Sequence, residues 1–304
     1  MPFKSGFVTV LGRPNSGKST LVNTLVGRKV AIVSPKPQTT RLRIQGIVNR
    51  ENTQIVLTDT PGIHKPASAL NQQMMEEVQQ SLDGVDILAL VADASVDFGA
   101  GDRYALDWVR RFKGKSFLIL NKIDLFRDKR KLLPRIEIYS RDHNFTEVFP
   151  ISALTGSGIP ELERSLIEHL PEGVPFFPQD QFTDQPERFL AAELVREKAI
   201  LATREELPHA IAVLVDSYEE TEKLLHIRAT IYVERDGQKG IVIGKGGAML
   251  KQIGTEARLE LESMLGAKIF LELYVKVLPN WRDNPAIVRQ LDWHHQLEQL
   301  SGER

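Results

Sequence analysis

Eight residues, GRPNSGKS at 12–19, force a strand, a tight loop and a helix into direct succession. They follow the apolar run FVTVL and fit the pattern G-x-x-x-x-G-K-[ST]. Gly12 and Gly17 let the backbone N–H groups curl around an anion, and the helix that starts behind them adds partial positive charge. The pattern arises by chance on the order of once in a hundred chains of this length. Arg13, Pro14, Asn15, Ser16 and Thr20 would line the same cradle. Lys18 would reach the outer phosphates, and the Ser19 hydroxyl would meet Mg²⁺.

Three further stretches continue the series. Asp59-Thr-Pro-Gly62 ends the run TQIVLTD, where Asp59 can hold Mg²⁺ through water and the Gly62 amide can sense a γ-phosphate. Asn121 and Lys122 end the run SFLILNK, and Asp124 follows two residues on. A carboxylate at 124 can accept both N1–H and N2–H of guanine, whereas adenine would set a lone pair against it, a mismatch that discriminates by about 10⁴ in favourable sites. Ser152, Ala153 and Leu154 follow VFPI and carry weight only in series with the others.

At 304 residues the chain is expected to hold two domains. From residue 7 to 170, short branched runs alternate with helical patterns, which argues for a mostly parallel sheet covered on both faces. Leu70, Met74, Val78 and Leu82 recur at four-residue steps and read as a core-facing helix, with no cofactor role for the methionines. The segment PEGVPFFPQDQFTDQP, with four prolines and no period, reads as an extended connector. Beyond it the rhythm changes to helix, strand, strand, helix, strand. The apolar lead-in Ile241-Val-Ile243 precedes the turn Gly244-Lys245-Gly246-Gly247, and Leu250, Ile253, Ala257, Leu261 and Leu265 mark the helix behind it. The expected bounds are a nucleotide-binding domain at 1–172, the connector at 173–186, an α+β domain at 187–280 and a tail at 281–304.

Composition excludes more than it selects. With no cysteine there is no disulfide, cysteine-ligated zinc or thiol nucleophile. No signal pattern opens the chain and no apolar run approaches 18 residues, so the expected location is the cytoplasm. The net charge is −1. Within 239–289, however, eight basic residues stand against five acidic ones. Two glycines spaced as G-x-x-G occur about once per chain by chance. In its helix, strand, strand, helix, strand context the turn resembles that of a KH domain, and the resemblance implies a clamp for a single-stranded backbone, with which the clustered charge agrees. Ile243, Gly244, Lys245, Gly246, Gly247, Lys251 and Arg258 are its candidate RNA-binding residues. So few basic groups predict a shallow salt dependence. Trp281 either stacks on a base or packs, and His294 with His295 reads as a solvated pair.

The four nucleotide motifs in this order and spacing resemble the GTPase superfamily. The wording GRPN, the segment Gln38-Thr39-Thr40-Arg41 and the G-x-x-G domain resemble, over essentially the whole chain, the Era family of bacterial ribosome-assembly GTPases. The resemblance implies a P-loop GTPase domain followed by a type II KH domain, with GTP or GDP and Mg²⁺ as ligands. It implies a mobile first switch in which Thr40, in preference to Thr39, meets the metal, and a catalytic set of Lys18, Thr40 and Gly62. It sets Asn15 beside a monovalent cation such as K⁺. As partners it implies the 3′ end of 16S rRNA and the 30S subunit, no DNA, a monomeric chain and room for weak association with the inner face of the cell membrane. Two residues depart from common patterns. Ser16 stands where Era proteins usually carry valine, and Ile63 stands where many GTPases place a water-orienting glutamine, so slow intrinsic hydrolysis is expected. The competing readings are a membrane-surface signalling GTPase whose second domain binds protein, and an RNA-binding protein with a vestigial nucleotide site.

Overall fold

The computed structural model describes residues 2–222, 224–290 and 292. His294 and His295 lie outside the described residues. The chain divides into two compact units, residues 1–66 with 74–184, and residues 67–73 with 185–304.

The first unit contains β1 (Lys4–Leu11), α1 (Lys18–Val26), β2 (Ile44–Arg50), β3 (Thr53–Asp59), most of α2 (Ala69–Gln80), β4 (Ile87–Asp93), α3 (Ala100–Arg111), β5 (Lys115–Asn121), α4 (Leu133–Asp142), β6 (Glu147–Pro150) and α5 (Ile159–His169). Its six strands lie in the order β2-β3-β1-β4-β5-β6. All pairings are parallel except the antiparallel β2–β3 pair. β3 is buried at every position, as a strand with both faces covered must be. Val8, Val10, Ile55, Leu57, Ile87, Ala89, Phe117 and Ile119 build the core beneath α1 and α5. Because the strands are parallel, the loops after β1, β3, β5 and β6 emerge at one sheet edge, where open α/β sheets bind their ligands.

The connector is extended, as its prolines predict, but it is fastened to this unit and does not hang free. The buried Gln54 side chain donates to Phe177 O (2.8 Å) and accepts from Phe176 N (2.7 Å) and Phe177 N (3.0 Å). Asn49 Nδ2 donates to the carbonyls of Gln179 and Gln181. Ile47 N donates to Phe182 O at 2.9 Å, and Thr183 forms an isolated antiparallel bridge to Gly46 on the β2 edge. Gln185 and Pro186 separate this fastened stretch from the next helix.

The second unit contains α6 (Glu187–Ala202), α7 (Leu207–Ala210), β7 (Ala212–Glu220), β8 (Leu225–Val233), α8 (Asp236–Ile243), α9 (Ala248–Leu265), β9 (Ile269–Val277) and α10 (Pro285–Gln290). β8 pairs antiparallel with β7 and parallel with β9. Ile227, Ala229, Ile231, Ile253, Ala257 and Leu261 form its core. The apolar lead-in Ile241-Val-Ile243 is the last turn of α8, a helix absent from the expected order of helix, strand, strand, helix, strand. Gln238 accepts from the N–H groups of Glu234 and Arg235, which caps that helix and lets a short apolar run coil. Trp281 is fully buried and donates to Ala210 O at 2.9 Å, so it packs and does not meet a base.

Candidate functional site

The loop between β1 and α1 adopts the backbone its glycines permit. Gly12 has φ 155°, Asn15 62° and Gly17 94°. A Cβ on Gly12 would lie 2.2 Å from Val91 O, and one on Gly17 would lie 2.2 Å from Asn121 Nδ2. Lys18 is buried, and its ammonium spans the loop to Gly12 O (3.1 Å) and Arg13 O (3.0 Å). Burial lowers its pKa to about 8, against the pull of Asp59.

Beside it three oxygens converge. Ser19 Oγ donates to Asp59 Oδ2 at 2.6 Å, and Thr40 Oγ1 lies 2.9 Å from Ser19 Oγ and 3.4 Å from Asp59 Oδ2. Asp59 is fully buried, and its Oδ1 has no hydrogen-bond partner. Burial pushes its carboxyl up to about 6 in spite of Lys18, Ser19 and Thr40. Two hydroxyls and a buried carboxylate with a spare oxygen are a donor set that suits Mg²⁺. Thr39 turns elsewhere, to Ser34 Oγ and Lys36 O.

The cavity over this cradle, about 420 Å³, is lined by Pro14, Asn15, Gly17, Ser19, Thr20 and Gly62 among others. Gly62 packs on Pro14, so that a Cβ would lie 2.7 Å from it. Ile63 N donates to Gly12 O, but the Ile63 side chain is buried away from the cavity. Asn15 Nδ2 donates to Pro35 O, which ties the loop to the segment before Thr40. Ser16 Oγ is buried without a partner. Asn121 joins two loops, donating to Ser16 O and accepting from Ala153 N, each at 2.9 Å. Lys122 has φ 67° and pairs with Asp93 at 2.5 Å. Asp124 is exposed in the turn that follows, Ser152 is buried and Leu154 is 80% exposed.

In the second unit, Gly244, Gly246 and Gly247 all have positive φ. A Cβ on Gly244 would press on Met249, whereas Gly246 and Gly247 face open space, as a surface meant for close backbone approach would. Behind the turn a groove of about 380 Å³ runs between α9 and β9, lined by Gly247, Lys251, Gly254, Arg258, Leu271 and Leu273 among others. Lys245 and Lys251 are exposed, Ile243 is half-buried at the end of α8, and Arg258 is held by Glu262 at 3.0 Å.

The family model of 50S ribosome-binding GTPases matches residues 7–122, and the KH-domain model matches residues 206–282. A solved structure of Era in complex with MgGDPNP and nucleotides 1506–1542 of 16S ribosomal RNA is 42% identical, with a TM-score of 0.91 over 96% of this chain and 99% of that one. A variant of Aquifex aeolicus Era bound to GDP·AlF4⁻ matches with the same figures. The chain belongs to the Era family of GTPases. As in the sequence expectation, its fold is a GTPase domain with a mostly parallel sheet, followed by a KH domain.

For this Era family member the structure adds residues that sequence reasoning missed. Arg13 of the loop reaches α3, where the buried Asp102 holds it at 2.7 Å. Asp102 also accepts from Gly99 N and from Tyr139 Oη, each at 2.9 Å. Arg13 lies so close over α3 that a Cβ on Gly101 would come within 2.7 Å of it. An acid in the first turn of α3 was the available signal, since it caps that helix. His64 also went unnoticed. Its Nδ1 lies 2.7 Å from Gly62 O and its Nε2 3.3 Å from Gln38 Nε2, and no pattern in the sequence marked it.

Proposed function

We propose that this chain is a GTP-hydrolysing switch that binds the 3′ segment of 16S rRNA through its KH domain and acts in assembly of the 30S subunit. The carrying observation is the joint presence of a nucleotide cradle and an open G-x-x-G turn in a chain similar over 96% of its length to an Era that binds both MgGDPNP and 16S rRNA. That RNA spans nucleotides 1506–1542, far longer than the about four nucleotides such a turn clamps.

In this reading the backbone of residues 12–20 and Lys18 hold the phosphates, while Ser19 and Thr40 bind Mg²⁺ directly and Asp59 does so through water. The ion would neutralise charge on the β- and γ-phosphates. Asp124 selects guanine, Asn121 braces the loops around the base, and Lys122 with Ser152, Ala153 and Leu154 frames it. The Gly62 amide is placed to meet the γ-phosphate. The buried alkyl side chain of Ile63 cannot orient water, so hydrolysis is slow until backbone or a partner supplies that contact. Asn15 would offer its Oδ1 to a monovalent cation, and comparing turnover in K⁺ and Na⁺ tests that role.

The chain path supports coupling between the two ligands. Thr40 stands in the ion cradle, β2 begins at Ile44, β2 holds the connector at 182–184, and α6 begins at Glu187. The protein acts as a monomer at the 30S subunit, with any membrane contact peripheral. Among the described residues no helix is long and apolar enough to cross a membrane.

The test is GTP turnover and RNA capture in one preparation. Lys18→Ala should abolish turnover, and Asp124→Asn should shift preference toward xanthine nucleotides. Lys245→Asp with Gly246→Asp should abolish binding of a 16S 3′-end RNA while GTP binding survives. Equal affinity for ATP and GTP, or RNA capture by the Asp variant, would sink the reading.

A further inference from the structure

We propose that the open face of the β7-β8-β9 sheet is a second RNA surface, on which bases of a single strand leaving the G-x-x-G groove stack against Phe270 and Tyr274. The inference rests on the reading that RNA occupies that groove.

Strand alternation sends the odd residues of β9 to one side and the even residues to the other. Ile269 and Val275 are buried in the core, and Leu271 and Leu273 form a wall of the groove. Phe270 and Tyr274 stand on the opposite face, 49% and 47% exposed. Single exposed apolar residues need no explanation. Two half-exposed rings on one face of one strand, beside further ring and cation chemistry, form a pattern. His226 sits opposite Phe270 in the strand register, their rings 5.4 Å apart. Arg228 occupies the next row, 51% exposed and 3.6 Å from Glu272, and Lys276 is exposed further along. Aromatic platforms interleaved with cations are how proteins hold single strands with little regard to sequence, since every base has a π-face.

Among the described residues β9 is the last strand of its sheet, so no neighbouring strand among them separates the groove wall from the open face. A polymer longer than the clamp has to run on from the groove, and crossing the β9 edge brings it onto these rings. Phe270 and Tyr274 are four residues apart, about 13 Å along the strand, so each can take a separate base. A protein partner fits less well. Between the rings the face offers the Arg228–Glu272 pair where the core of a protein interface would be apolar and depleted of charge.

The full-length protein should be titrated with two RNAs cut from within the 16S segment 1506–1542, one of about five nucleotides, matching the clamp, and one of about fifteen. Phe270→Ala combined with Tyr274→Ala is expected to weaken the longer RNA by about 10- to 100-fold. The shorter RNA should stay within about twofold of the unaltered protein, which also shows that the domain is folded. Phe270→Trp should keep the longer RNA bound, with indole fluorescence quenched as it binds. Undiminished affinity of the double alanine variant for the longer RNA overturns the proposal, and that is also the outcome if the face serves a protein. Failure of the underlying groove reading looks different: Lys245→Asp with Gly246→Asp would then leave the shorter RNA bound.

Discussion

Lys18 and Asp59 are both buried beside the same loop, and burial pushes each toward its neutral form. The consequences for binding have opposite signs. A triphosphate needs the ammonium, so as pH rises through about 8 binding must first recover a proton and affinity falls. A Mg²⁺ held at Asp59, as proposed, would need the carboxylate, so as pH falls through about 6 protons compete and affinity falls again. Mg²⁺·GTP affinity should therefore peak between those values. Calorimetry in buffers of different ionisation enthalpy should find proton uptake on binding at the alkaline limb and proton release at the acid limb. Ile63 makes a contrasting case. The sequence poses it as a question about water, but its side chain belongs to the core. Ile63→Ala should lower unfolding stability by about 2–4 kcal/mol through the cavity it leaves, with turnover by the folded fraction little changed; denaturant titration beside a turnover assay checks both.

At the scale of elements, α3 and α4 grip the phosphate loop from behind. Asp102 receives Arg13, Gly99 N and Tyr139 together, so Asp102→Asn keeps the shape and removes the charge that holds Arg13. The loss should be about 1–3 kcal/mol where a buried partner is left poorly satisfied. It should appear as faster GDP release in a stopped-flow chase, with Arg13→Lys adding little on top. This grip explains what the sequence could and could not disclose. The loops after β1, β3 and β5 were legible because each joins a strongly apolar strand to glycine, asparagine or aspartate at fixed spacing, whereas Ser152-Ala153-Leu154 after β6 was legible only in series with them. α8 was hidden because its last turn, Ile241-Val-Ile243, is a three-residue apolar run that periodicity cannot assign. β2, IQGIVNR, was hidden because Gly46 and Asn49 break its alternation; Gly46 is there because a Cβ would strike Val26 at 2.8 Å. Asp102 and Gln54 were hidden for another reason: their partners lie 89 and over 120 residues away, and no local pattern encodes such pairs.

For the whole molecule, the decisive quantity is the coupling between its two ligands. Exchanging GDP for GDPNP should change the affinity for a 16S 3′-end RNA by about 5- to 150-fold, and RNA should change the preference for GDPNP over GDP by the same factor, since linkage is reciprocal. Fluorescence anisotropy in both directions measures it, and a ratio of one would leave two independent binding modules. The fastened connector has a second consequence, for solubility. β2 ends the six-stranded sheet, and an uncovered terminal strand invites edge-to-edge pairing with another chain. Phe182 and Thr183 occupy that rim, and Phe176 covers Phe7 with ring centres 4.7 Å apart. A fragment cut at residue 172 would strip away this selvage, and light scattering should find it self-associating. A fragment carried on to residue 184 keeps its hem and should stay dispersed.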